Sequence, residues 1–184
     1  MKEVRVHGRG GQGAVAAVGM LALAFVLEGK FARSFPMFTG FERRYAPVVG
    51  FLRFDDKPMT IQLQVYNPDC VVVLDSTLVK AVDVFAGLKK PGIAVWCEDR
   101  PVEQIPLSPA VKRIGMVDAN KLALEVFGRP IANTAMLGAF AKTTGWVQIS
   151  SVVTALEQKL APALVEKNVK LATRAYELTR VVEL

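Results

Sequence analysis

The stretch Val4-Arg5-Val6-His7-Gly8-Arg9-Gly10-Gly11-Gln12-Gly13 and the apolar run Ala14 to Leu27 behind it decide the fold. Val4 and Val6 alternate with polar neighbours, as residues on one face of a strand do. From Ala14 to Glu28 the residues are apolar on nearly every side, which suits a helix packed between the sheet and a second element, and Gly29 supplies its stop. Between strand and helix the glycines satisfy G-x-G-x-x-G. Glycine permits the tight turn, lets the helix lie close on the strand and lets a ligand approach the backbone.

Outward from this unit the same alternation of elements continues. Phe31 to Phe35 reads as a second strand, and Pro36 to Pro47 as a loop holding aromatic and charged residues together. Val48 to Phe54 and Thr60 to Val65, separated by Asp55, Asp56, Lys57 and Pro58, suggest an antiparallel hairpin added to the sheet. Val71 to Leu74 has the continuous apolar character of a central parallel strand, with Asp75 or Ser76 capping a following helix. Ile93 to Cys97 repeats the pattern, Glu98 to Pro109 is a surface loop, and Arg113 to Val117 is a weaker strand. The rest is helical. Asp118 caps a helix to Phe127, Asn133 starts one to Thr144, Ser150 one to Leu160, and Pro162 opens a last helix reaching about Arg180. The expected fold is therefore α/β and Rossmann-like: doubly wound, with a mainly parallel sheet, an added antiparallel hairpin and C-terminal helices, in a single domain over residues 1–184.

Composition narrows the function classes. A chain of 184 residues, 52% hydrophobic, can bury a core without staples, and its mean hydropathy of +0.31 leaves apolar surface for a subunit interface or for self-association. The run Ala14 to Leu27 is shorter than the roughly 20 residues of a membrane span, and the N-terminus enters a strand without a leader pattern, so a cytoplasmic protein with no membrane partner is expected. The net charge of +6 is scattered, which argues against nucleic acid. Cys70 and Cys97 form no Cys-x-x-Cys and His7 is the one histidine, so no metal site and no catalytic residue is assigned to this chain.

The glycine turn has two readings. The first N–H groups of the helix suit an anion, and Gln12 can donate into that site or cap the helix. Dinucleotide binding would also need an acidic residue about 20 positions on, and Lys30 to Pro36 holds none; Arg33 there would instead favour the 2′-phosphate of NADP. The plainer reading is that the glycines serve strand-to-helix packing. Likewise His7 reads as a packed histidine, Asp75 as a helix cap at the end of a central strand, and Cys97 as a small buried hydrophobe.

Three ordered segments carry a resemblance. Gly8 to Gly13, worded Gly-x-Gly-Gly-Gln-Gly, is the first. Phe35-Pro36, Glu42-Arg43-Arg44 and Ala46-Pro47-Val48 form the second, and Asn133 to Ala139, with Leu137-Gly138-Ala139, the third. Together they resemble the gamma subunits of pyruvate and related 2-oxoacid:ferredoxin oxidoreductases; an indolepyruvate or 2-oxoisovalerate enzyme is the alternative, the indolepyruvate subunits sharing the glycine turn but less of the second segment. Tyr45 stands where that pattern has a small residue.

The resemblance implies a complex that decarboxylates a 2-oxoacid on thiamine diphosphate with Mg, passes electrons through iron-sulfur clusters to ferredoxin, and forms an acyl-CoA. The thiamine and the clusters belong to other subunits, and none is bound by this chain. For this subunit it implies a role in assembly, with CoA binding as the alternative reading of the same residues. Gly8, Gly10, Gly11, Gln12, Gly13, Arg43 and Arg44 are the candidate ligand residues, since arginine grips phosphate bidentately. Phe38, Phe41, Glu42 and Tyr45 are the candidate interface residues, and Arg43 and Arg44 among those aromatics have an anchor's composition too.

Overall fold

A computed structural model describes residues 1–37, 45–60 and 63–184. Seven strands form one mixed sheet in the order β2-β3-β1-β4-β5-β6-β7. Its centre, β1 (Lys2–Arg9), β4 (Cys70–Val73), β5 (Gly92–Trp96) and β6 (Val111–Met116), is parallel. Antiparallel strands flank it: β2 (Phe31–Met37) and β3 (Pro47–Asp55) beyond β1, and β7 (Arg180–Glu183) beyond β6. The helices are α1 (Ala14–Leu27), α2 (Ala119–Phe127), α3 (Asn133–Thr144), α4 (Ile149–Lys159) and α5 (Pro162–Leu178).

Local chemistry explains most boundaries. Gly29, at φ 79°, ends α1 as expected, with the Lys30 N–H returning to the Phe25 carbonyl. Asp118 caps α2 by accepting the Lys121 N–H at 2.9 Å, and Pro162 opens α5.

All five helices lie on one face of the sheet, in a single apolar cluster with Val4, Val6, Leu52 and Val72. Part of the outer side of α1 is covered by α3 and α4 of the same chain, while Ala16, Val26 and Leu27 stay exposed. The opposite face is roofed differently. Two 3-10 helices, Ser76–Lys80 and Val102–Gln104, and the irregular chain around them cover Val71, Val73, Ala94 and Trp96. Asp75 caps the first of these, accepting the Thr77 N–H, where a full α-helix had been expected.

Two further departures concern strands. The hairpin pairs β3 with β2, not with Thr60 to Val65, because β1 holds one edge of β3 and β2 the other. Leu63 and Gln64 instead give their carbonyls to the guanidinium of buried Arg53, while Val65 is buried; Ile61 lies outside the described residues. After α5 the chain does not continue as helix to Arg180. It turns at Thr179 into β7, which pairs with β6.

Candidate functional site at the carboxyl end of β1

Register brings the glycine turn and the return from the 38–46 segment side by side, since Gly8 pairs with Val48 and Arg9 with Pro47. The Gly10 N–H donates to the Ala46 carbonyl at 2.8 Å and the Tyr45 N–H to the Gly10 carbonyl at 3.1 Å, so residues 45–46 are zipped onto the turn. Gly11 and Gly13 have φ of 94° and 78°, which glycine adopts without strain. A Cβ on Gly8 would come within 3.1 Å of Ala14 and Leu74, and one on Gly13 would run into the side-chain amide of Asn133. Glycine there lets α1 close on the strand and the start of α3 close on the turn. The three sequence segments thus meet at one end of the sheet.

A cleft of about 450 Å³ opens there, lined by Gly10, Gly11, Gly13, Ala14, Ala16 and Val48. No side chain among the described residues caps α1, whose N-terminus forms the cleft floor with the partial positive charge of its N–H groups. Gln12 does not cap the helix. Its Oε1 accepts the Arg9 N–H at 2.7 Å and its Nε2 donates to Asp75 Oδ2 at 3.2 Å, so it is spent inside the turn. Arg9 Nε donates to the same Asp75 oxygen at 2.9 Å. Burial raises the Asp75 pKa, but hydrogen bonds from Thr77, Gln12 and Arg9 outweigh it and hold the carboxyl below its ordinary value. This network spans the crevice between the ends of β1 and β4, where the chain reverses its winding and a nucleotide would lie.

The NADP reading loses its other support as well. Arg33 lies midway along β2, in register with Arg53 and, beyond it, Glu3. That is six residues, or roughly 20 Å, from Arg9 along the strand direction, with β3 between. His7 is buried with Nε2 accepting from Arg5 Nε at 3.0 Å; burial, then the Arg5 charge, push its pKa down to about 3, so it is a neutral packed histidine. Tyr45 is 76% exposed. Phe38, Phe41, Glu42, Arg43 and Arg44 lie outside the described residues, but their described neighbours Met37 and Tyr45 are both at this end of the sheet. Arg9 was missed in the sequence because it occupies an unspecified position of the glycine pattern.

A family model for pyruvate ferredoxin/flavodoxin oxidoreductase matches residues 3–178. The chain belongs to this family. It is 51% identical to the pyruvate/ketoisovalerate oxidoreductases common subunit gamma of Pyrococcus furiosus, over the full length of both chains. To the pyruvate synthase subunit PorC of Methanothermobacter thermautotrophicus it is 48% identical, covering 96% of this chain and 95% of that one. With the gamma subunit of the NADH-dependent phenylglyoxylate dehydrogenase of Aromatoleum evansii it shares 55% identity over 85% of this chain and 82% of the relative. The crystal structure of the pyruvate oxidoreductase subunit PORC of Thermotoga maritima superposes with a TM-score of 0.85 at 34% identity, covering 99% of this chain and 98% of that one. This end-to-end correspondence makes the chain a gamma-type subunit of an oxidoreductase of the pyruvate ferredoxin/flavodoxin family.

The iron-sulfur clusters that the sequence resemblance implies do not fit the thiols of this chain. Cys70 begins β4 and Cys97 follows β5, at opposite ends of neighbouring strands. Burial pushes the Cys70 thiol up strongly and the Cys97 thiol up to about 12, whereas a ligand must be a thiolate. Among the described residues no group of His, Cys, Asp and Glu is placed to hold a metal ion, and no helix is long and apolar enough to cross a membrane.

Proposed function

We propose that this chain docks the carboxyl end of its β1 into a cytoplasmic 2-oxoacid:ferredoxin oxidoreductase complex whose other subunits carry thiamine diphosphate, Mg and the iron-sulfur clusters and deliver electrons to ferredoxin. The observation that carries the reading is the meeting of the three family segments, Gly8 to Gly13, the residues flanking 38–44, and Asn133, at one edge. An edge built from a glycine turn and an exposed Tyr45, next in sequence to Arg43 and Arg44, has the residue types of an interface anchor. The cleft beside it, floored by the start of α1, suits a phosphate of CoA, the acyl acceptor of the reaction.

The 2-oxoacid is selected elsewhere in the complex. The Pyrococcus relative is named as common to a pyruvate and a ketoisovalerate enzyme, and the Aromatoleum relative belongs to a phenylglyoxylate enzyme. Close relatives thus serve acids with methyl, branched and aromatic side chains, which a subunit shaping the acid pocket would not tolerate.

Arg43→Ala combined with Arg44→Ala in the reconstituted complex tests the reading. Weakened assembly on gel filtration, by about tenfold in affinity, is the expected result. Intact assembly with a raised KM for CoA would instead assign the arginines to the ligand, since each charge-assisted hydrogen bond lost costs about 1.5 to 3 kcal/mol. If neither assembly nor KM moves, the edge has neither role.

A further inference from the structure

Arg9 ends β1 and reaches three separate segments. Its Nε bonds Asp75 Oδ2 at 2.9 Å just beyond β4, its Nη2 bonds Thr77 Oγ1 at 2.8 Å in the following 3-10 helix, and its Nη1 bonds the Tyr45 carbonyl at 3.1 Å. The far side of the bracket is itself fastened. Asp75 Oδ1 accepts from the Thr77 N–H at 3.0 Å and from its hydroxyl at 2.6 Å, and Gln12 holds both the Arg9 backbone and Asp75.

What the bracket holds is unusual. Tyr45 is the one non-glycine residue with positive φ, 69°, among the described residues, in a backbone region that a side chain with a Cβ disfavours. Its N–H is taken by the Gly10 carbonyl and its carbonyl by Arg9, so the backbone is pinned at both ends. The ring itself is 76% exposed. A strained backbone kept in place by neighbours, carrying an aromatic ring out into water, is arranged for a contact outside the chain.

We infer that Arg9 is a positioning residue that holds Tyr45 in its left-handed conformation so that the tyrosine ring is presented as an anchor to the neighbouring subunit of the oxidoreductase complex. The inference rests on the proposed role of this edge in assembly. The partner it calls for offers an apolar pocket that accepts the ring and a polar rim for its hydroxyl.

The test uses full-length chains in the reconstituted complex. Tyr45→Gly removes the ring and relieves the backbone, so the free subunit should keep or raise its Tm while its affinity for the other subunits falls about tenfold or more. Opposite movements of stability and assembly are what a merely structural tyrosine would not produce. Tyr45→Phe, which keeps the ring, should assemble within about threefold of the parent. Arg9→Lys should weaken assembly about as much as Tyr45→Gly, and the double variant no further, because both remove one presented ring. Should Arg9→Lys lower the Tm of the free subunit, Thr77→Val, which removes the two hydroxyl bonds to Arg9 and Asp75 but leaves the other bonds of the bracket, replaces it with the same expectation in smaller degree. Assembly of Tyr45→Gly at parental affinity, or losses from Tyr45→Gly and Arg9→Lys that add, would overturn the inference. In that event weakened assembly of the Arg43→Ala, Arg44→Ala variant would leave the docking edge standing, and its unaltered assembly would remove that reading as well.

Discussion

On one face of the sheet five helices bury Leu137, Phe140, Leu156 and Leu171 among Val4, Val6 and Val72, and nothing charged enters their cluster. On the other face β1 projects Glu3, Arg5, His7 and Arg9, one after another at the period of the strand. That face is closed by the chain around residues 75–91, and at β1 it is closed by polar bonds. Arg5 donates to His7 and to the Val84 and Ala86 carbonyls at 2.9 and 2.7 Å. Glu3 receives Arg53 at 2.8 Å and Lys89 at 3.1 Å. Irregular chain presents carbonyls that no ladder or helix satisfies, and buried guanidinium groups satisfy them. Helices satisfy their own backbone and ask only for apolar side chains. The difference teaches why one strand can serve two unlike coverings: its even positions answer to packing, its odd positions to polar side chains and unpaired backbone.

The comparison can be broken most forcefully on the helical side. Phe140 is fully buried between Phe25 and Trp146, and Phe140→Ala should cost about 4 kcal/mol, read as lost unfolding free energy in urea. On the polar side Arg5→Met keeps apolar volume but strips His7, Val84 and Ala86 of their donor, for an expected loss of about 3 kcal/mol in the same assay. A loss below about 1 kcal/mol would show that apolar packing suffices there after all.

Acid sharpens the same contrast. Because the pKa of His7 falls from 6.5 to about 3 on folding, the unfolded chain binds the extra proton between those values. Its contribution is whole above pH 6.5 and shrinks as pH falls, with a slope approaching about 1.4 kcal/mol per pH unit. His7→Gln, which keeps an acceptor for Arg5, should flatten the stability profile between pH 6 and about 4. Smallest of all should be Arg113→Ala. That residue pairs with Glu183 across the exposed β6–β7 edge, and its removal should change unfolding free energy by no more than about 0.5 kcal/mol.

How far the sequence reached depended on distance along the chain. The strand, glycine turn and first helix were legible because glycines, alternation and a helix stop act on neighbours. So were Val71 to Leu74, the Asp118 cap and the proline that opens α5. The partner of β3 was not, since Phe31 to Met37 and Thr60 to Val65 are both plausible strands and only the assembled sheet shows which one takes the free edge. Nor was β7, four residues whose pairing with β6 follows from where α5 delivers them.

The sequence by itself determined the α/β class, the glycine turn, the family and the three segments that carry the resemblance, because each rests on local chemistry or on ordered residue wording. Only the tertiary structure decided that their described parts meet, that Gln12 is spent inside the turn, that Arg33 stands far from it, and that Arg9 brackets Tyr45. Asp75 lies 66 residues and Tyr45 36 residues from Arg9, and hydrogen bonds across such spans leave no periodicity in a sequence. They exist only where the sheet register has already brought strand ends together.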